Sequence, residues 1–153
     1  MKQKGTLAKN RKKALRIVVI AAVILTALIL LRENVKTDEV STPEGRAAFL
    51  QQFGWEIDLS SEDVRTVQLP NVLEGMLLRY NEIQLEQGYD LTRHLGENCR
   101  QYTYRITNYP DPEQTVLATL YVQGEHVIAG DIHSTALNGF LQGLSKETAQ
   151  SLE

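Results

Sequence analysis

The sequence predicts an α+β domain attached to one N-terminal transmembrane helix. Three observations carry that expectation. An uncharged apolar run spans Ile17 to Leu31 and follows a strongly basic start. Three consecutive segments between Cys99 and Ile132 alternate apolar and polar residues with the period of a strand. Stretches with helical spacing at 44–53, 72–87 and 136–144 stand before and after them. Helices segregated from an antiparallel sheet define the class: the helices are expected to pack on one face of the sheet, with the helix Val72–Gln87 covering it.

With 153 residues there is room for one domain of roughly 100 residues and its attachments. The net charge of −3 averages two unlike parts. Residues 1–16 hold seven bases and no acid, whereas the chain after Arg32 holds all 19 acids against eight bases, a net charge of −11. A single cysteine excludes a disulfide scaffold, the length excludes a multidomain enzyme, and the acidic balance excludes a basic nucleic-acid binder. The expected organisation is a basic cytoplasmic tail (1–16), a transmembrane helix (17–31), a linker (32–43), an α+β domain outside the cytoplasm (44–144) and a tail (145–153).

The 15-residue uncharged run reaches about 22 Å as a helix, short of the ~30 Å hydrocarbon core. Snorkelling by Arg16 and Arg32, with Ala14 and Leu15 extending the apolar surface, makes about 18 usable residues, enough to span. The lipid bilayer is therefore the partner of residues 17–31, and the basic flank places the N-terminus in the cytoplasm. A cleaved secretory signal is the rival reading, but the run ends Leu31-Arg32 without a small-x-small cleavage site. A lipoprotein signal would need a cysteine there, and Cys99 is the only one. The cluster Lys9 to Lys13 reads as topogenic and headgroup-binding, not as a nucleic-acid patch.

Beyond the linker, Ser41 and Glu44 have capping-box spacing, Pro43 falls in the first turn, and Phe49, Leu50 and Phe53 give the helix an apolar face. Gly54 sits where a left-handed cap would end it. A short strand at Trp55 and Ile57 and a second, weaker one at Val64, Val67 and Leu69 are expected next. The stripe Val72, Leu73, Met76, Leu77, Tyr80 and Ile83 predicts the main core helix, stopped by Gly88. Asp90 to Gly96 reads as one further helical turn. Strands follow at Cys99–Thr107, Thr115–Val122 and His126–Ile132, joined by short turns into an antiparallel meander. Ala136, Leu137, Phe140, Leu141 and Leu144 predict a last short helix.

Chemistry is sparse. Asp131 and His133 are two apart on a strand, so they share a face, and with His126 or His94 they offer a conceivable metal set. Without an HExxH pattern or a cysteine pair, the plainer reading is two polar residues on a solvated face. Changing both to Ala should then move stability by less than ~0.5 kcal/mol, and zinc should not raise the melting temperature. Ser134, Ser145 and Cys99 lack any nucleophile signature, and Cys99 reads as the first residue of a strand. Tyr102 and Tyr104, sharing a face with Ile106, read as core, although together with Tyr121 they could stack a sugar or peptide. No catalytic residue, metal ligand or cofactor is assigned, and the binding residues stay open.

Several strings in order carry a resemblance: Arg46 to Glu56, Tyr80 to Leu91, Tyr102 to Tyr104, Asn108 to Pro110, Val127 to Ile132 and Gly139 to Leu144. Over about residues 45–144 the chain resembles the uncharacterised bacterial family numbered 4830 among the domains of unknown function. The resemblance implies an N-terminal membrane segment and a small outer domain, and it implies no activity. Ala129-Gly130-Asp131-Ile132-His133-Ser134 departs from the family pattern, in which a cysteine stands in place of His133.

The expected function is that of a non-catalytic interaction or sensing domain outside a bacterial plasma membrane, with an envelope protein or peptide as partner. An envelope enzyme assembled around Asp131 and His133 is the alternative, and an accessory subunit of a membrane complex a third. A deep pocket holding Asp131 and His133, with a perturbed pKa, would favour the enzyme, and a flat polar surface there the interaction domain. The stripe Val72–Ile83 makes Leu77→Asp the expected disruptive change, costing several kcal/mol.

Overall fold

A computed structural model of the protein describes residues 40–146. The basic segment, the predicted transmembrane helix 17–31, residues 32–39 of the linker and residues 147–153 lie outside them. Among the described residues no helix is long and apolar enough to cross a membrane.

Helix α1 (Pro43–Gln52) starts one residue later than the capping-box spacing suggests. Pro43, with its φ preset for the first helical position, makes Thr42 the cap, and the Thr42 hydroxyl accepts from the Gly45 N–H at 3.0 Å. The helix ends as predicted at Gly54, with φ +84°. Gly54 N–H donates to Gln51 O and Trp55 N–H to Leu50 O, which satisfies carbonyls that the helix would otherwise leave open.

Next comes one strand where two were expected. β1 (Ile57–Gln68) runs through both apolar stretches, with a register shift between Asp58 and Asp63. The shift reverses the alternation, so Ile57 and Val64 lie opposite Ile106 and Tyr102 on one face of the sheet. The meander forms as predicted: β2 (Asn98–Ile106), β3 (Val116–Gln123) and β4 (His126–Ser134) pair antiparallel in sequence order. β5 (Leu141–Gln142) completes five strands.

That fifth strand replaces the predicted last helix. Gly139 and Gly143 interrupt the apolar pattern, and both sit where an added Cβ would collide with neighbouring atoms. The outer edge of β4 is meanwhile open, and Leu141 and Gln142 pair with His133 and Ile132. Satisfying a strand edge outweighs a helix that two glycines weaken.

The two faces of the sheet carry separate cores. Tyr102, Tyr104, Ala118, Leu120, Val122 and Ile132 meet Phe49 and Leu50 of α1, Trp55 and Leu144 on one face. Tyr102 and Tyr104 are thus core residues, as their spacing with Ile106 predicts. On the other face Cys99 and Ala129 meet Leu69, Leu73 and Leu91. Val40, from the predicted linker, is buried in the first core.

Helix α2 (Met76–Glu86) corrects the sequence reading most. It starts four residues later than predicted, after Gly75 at φ +57°, and supplies Tyr80 to the second face, so the helices do not share one face. Its predicted stripe is divided: Val72, Met76 (86% accessible) and Leu77 (42%) are exposed, whereas Leu73 is buried and Tyr80 and Ile83 are half-buried. The fully covered side chains are Asn81 and Gln84. The reason is a demand from backbone groups. Gln84 Oε1 accepts from Gly130 N–H, Gln87 Nε2 donates to Gly130 O, and Gln87 Oε1 accepts from Leu144 N–H. Asn81 Oδ1 accepts from Leu91 N–H. Side-chain amides satisfy backbone that neither β5 nor a helix pairs, which apolar residues cannot do.

A changed prediction follows. Leu77→Asp should now cost about 1 kcal/mol or less, as expected for a half-exposed site. Gln84→Ala should cost about 2 kcal/mol, because it leaves the buried Gly130 N–H without an acceptor. Thermal melts of the two variants, compared with the parent, test that order.

Candidate functional site

Below the first turns of α2, the second face of the sheet is uncovered. β2, β3 and β4 contribute Gln101, Thr119, Tyr121, Asp131 and His133 to it, all by the alternation of a strand. On one side stand Met76, Leu77, Arg79, Tyr80 and Ile83 of α2. On the other stands the segment leading into β5, with Leu137, Phe140 and Leu141. Between these walls lies a cleft of about 640 Å³, within the ordinary size range for ligand sites. Its banks are apolar and its floor is polar. Beyond His133 a smaller hollow of about 370 Å³ continues across the sheet, lined by Thr103, Arg65 and Arg105 among others. Gln101, Thr119 and His133 line both.

Asp131 organises the floor. It is only 3% exposed, which corrects the expectation of a solvated strand face. The Tyr80 hydroxyl donates to Asp131 Oδ2 at 2.7 Å, and His133 Nδ1 donates to Oδ1 at 2.7 Å. A carboxylate only accepts, so Nδ1 carries the proton and Nε2 is the nitrogen left for the cleft. The hydrogen bond to Asp131 raises the His133 pKa, against the opposing pull of partial burial. Burial, reinforced by the charge of Asp131, pushes the Tyr80 phenol far up, so it stays a donor at any physiological pH. Tyr80 also meets Tyr121 edge-on at 6.0 Å, and the Tyr121 hydroxyl accepts from Gln101 Nε2.

The raised His133 pKa fixes the sign of a pH effect. The imidazolium is favoured more in the folded than in the unfolded chain, so its contribution is fully present below the unfolded pKa of ~6.5. It is lost as pH rises through the higher folded value. The melting temperature should therefore fall from about pH 6.5 into the alkaline range, and His133→Gln should flatten that limb. A parent and a variant that decline in parallel would exclude His133 as the source.

Elsewhere the candidates separate. His94 pairs with Glu97, and His126 is exposed at the start of β4; neither joins Asp131 and His133. No group of three or more possible metal ligands occurs among the described residues. Cys99 is buried on the second face, and burial raises its thiol pKa, which suppresses the reactive thiolate. Ser134 lines the cleft while its hydroxyl accepts from Ala136 N–H. Tyr121 faces away from Tyr102 and Tyr104, so the three do not form one stacking platform. Spacing alone pairs Asp131 with His133. Nothing local points to Tyr80, Arg79, Gln101 or Thr119, because strand order and helix placement bring them there.

The profile of a family described as Domain of unknown function (DUF4830) matches residues 49–132, more than half of the 153. The matched stretch runs from α1 into β4, including Tyr80 and Asp131 and stopping one residue before His133. No curated protein and no solved structure matches the chain. From the cleft's helix wall to the strand that carries its buried carboxylate, the chain belongs to the DUF4830 family.

Proposed function

We propose that this chain is a single-pass protein of a bacterial plasma membrane, with its N-terminus in the cytoplasm, and that its outer domain is a non-catalytic binding module for an envelope protein or peptide. The membrane part rests on the seven bases of residues 1–16, the uncharged run 17–31 and the −11 charge that follows Arg32. The binding part rests on one observation: an open cleft flanked by exposed apolar side chains on two different elements, over a floor of ordered polar groups.

The pair Asp131–His133 also favours a second reading, an envelope enzyme, since a buried carboxylate that orients an imidazole is how general bases are held. The pair also lies in a cleft with the His133 pKa raised, as that reading expects, so what stands against it is the want of a nucleophile beside the ring. No serine, threonine or cysteine is hydrogen-bonded to the His133 ring among the described residues.

Two measurements test the proposal. A reporter active only outside the cytoplasm should work when fused after Glu153, and a cytoplasm-only reporter should not; the reverse overturns the orientation. A photo-crosslinking residue at Leu137, on intact cells, should capture a partner that the same residue at exposed Val64 does not. That capture should vanish when Met76→Arg blocks the facing bank. Equal capture from both positions overturns the binding role of the cleft.

A further inference from the structure

Charge narrows what the cleft can hold. Residues 40–146 carry fourteen acids against seven Lys and Arg side chains, a net charge of −7. The cleft departs from that balance: its charged or protonatable groups other than tyrosine are Arg79, Asp131 and His133, a net charge of 0 with a neutral ring and +1 with the imidazolium. Asp131 is buried, with both oxygens engaged by Tyr80 and His133. What meets solvent is Arg79, exposed and without an ion-pair partner among the described residues, and the His133 ring. An acidic domain that keeps its cleft cationic is complementary to an anion.

We infer that the cleft takes an extended peptide in which apolar side chains flank an acidic one, with the acidic group held by His133 and Arg79. This inference rests on the binding role proposed above. The apolar banks accept the flanking side chains. Past His133 the groove continues over Gln101 and Thr103, which bond to Tyr121 and to buried Thr119 and still keep the Gln101 carbonyl, its second N–H and a Thr103 lone pair for the backbone N–H and C=O of a peptide. An acyl chain carries an anionic head as well, but its apolar tail would cover this polar hollow and displace water from it without replacing the lost hydrogen bonds.

Affinity then depends on the charge of His133. The groups facing it are Asp131 on its own strand, Arg79 and Tyr80 from α2, Tyr121 from β3, and Asp63, Arg65 and Arg105 across the smaller hollow; residues 135–141 contribute no titratable group. Asp63 is occupied by Arg65, and Arg105 by Asp58. Of these groups His133 is the one that changes charge near neutral pH, so binding weakens as pH rises through its raised pKa.

The test uses the full chain in lipid nanodiscs and a fluorescein-labelled peptide, Ala-Leu-Leu-Glu-Ser-Thr, beside its Glu-to-Gln twin and dodecanoate. Fluorescence anisotropy should show the Glu peptide binding about tenfold tighter than the Gln peptide at about pH 5.5, and that preference shrinking to the few-fold share of Arg79 as pH rises through the His133 pKa. His133→Gln should leave only that smaller preference and make it independent of pH. Arg79→Gln should weaken the Glu peptide several-fold without moving the melting temperature, and it carries the test should the His133 variant fold poorly. Arg93→Gln, on the surface outside the cleft, should change nothing. Equal binding of the two peptides by the parent overturns recognition of the acid. Binding of dodecanoate without either peptide assigns the cleft to a lipid and overturns the peptide. If no probe binds while the Leu137 crosslink persists, the ligand class is wrong and the binding role stands; loss of both overturns the binding role.

Discussion

Replacing Arg46 with Ala is expected to cost about 3–5 kcal/mol, as when one partner of a buried ion pair is removed. Arg46 is 2% exposed, in the core between α1 and the sheet. Its Nε donates to the Tyr104 hydroxyl, one terminal nitrogen to the carbonyl of Val40, and the other to Glu62 at 2.6 Å. The guanidinium also lies 3.6 Å from the centre of the Tyr102 ring. Burial alone would push the Glu62 carboxyl up, but hydrogen bonds from Tyr104 and Arg46 outweigh it and hold the pKa below the usual range. Without Arg46, Glu62 loses its counter-charge and the Val40 carbonyl its donor. A loss of this size is a large share of the ~5–15 kcal/mol that holds a domain together. Arg46→Lys should recover only part of it, because one ammonium cannot serve three acceptors in fixed directions. Urea unfolding followed through Trp55, the single tryptophan, measures both variants. A loss under about 1 kcal/mol for Arg46→Ala would falsify this account of the core.

Asp131→Ala is expected to cost about 2–3 kcal/mol, where a solvated strand position would cost less than ~0.5. The substitution leaves the Tyr80 hydroxyl and His133 Nδ1 without their acceptor, and Tyr80 is too buried to turn readily to water. His133 should fall back toward an ordinary imidazole pKa once its carboxylate partner is gone, and NMR titration of the ring reads that directly. Asp131→Asn should cost less than Ala, since its carbonyl accepts one of the two bonds. An Ala variant that melts with the parent and titrates at the parent's His133 pKa would show the floor of the cleft to be loosely held.

Much of the fold could be read directly from the residues. Strands β2, β3 and β4 were legible because each buries one face, and burial of one face writes a period of two into the side chains. The Gly54 cap, the turn at Asp90 and the meander order were legible for the same local reason: turn chemistry and short loops act within a few residues. Thr42 in place of Ser41 as the cap is an error of one residue, decided by Pro43.

Where the period misled, distant backbone had set the outcome. The stripe Val72 to Ile83 has sound helical spacing, yet the buried side of α2 is Asn81 and Gln84, because Gly130 and Leu91 needed partners that apolar side chains lack. The predicted last helix became β5 because β4 offered an unpaired edge. Two predicted strands merged into β1 through an irregularity around Ser60 and Ser61, whose hydroxyls bond to Asp58.

By itself, the sequence determined the α+β class, the family, the three central strands and the core role of Tyr102 and Tyr104. All of these follow from periodicity or from the order of short strings along the chain. Tertiary structure alone decided that Asp131 is buried and not solvated, that Tyr80 reaches it across 51 residues, and that apolar side chains of α2 bank a cleft instead of filling a core. The physical reason is that a carboxylate's burial depends on what lies above its strand. What lies there is a helix whose placement is set by hydrogen bonds to backbone more than forty residues away.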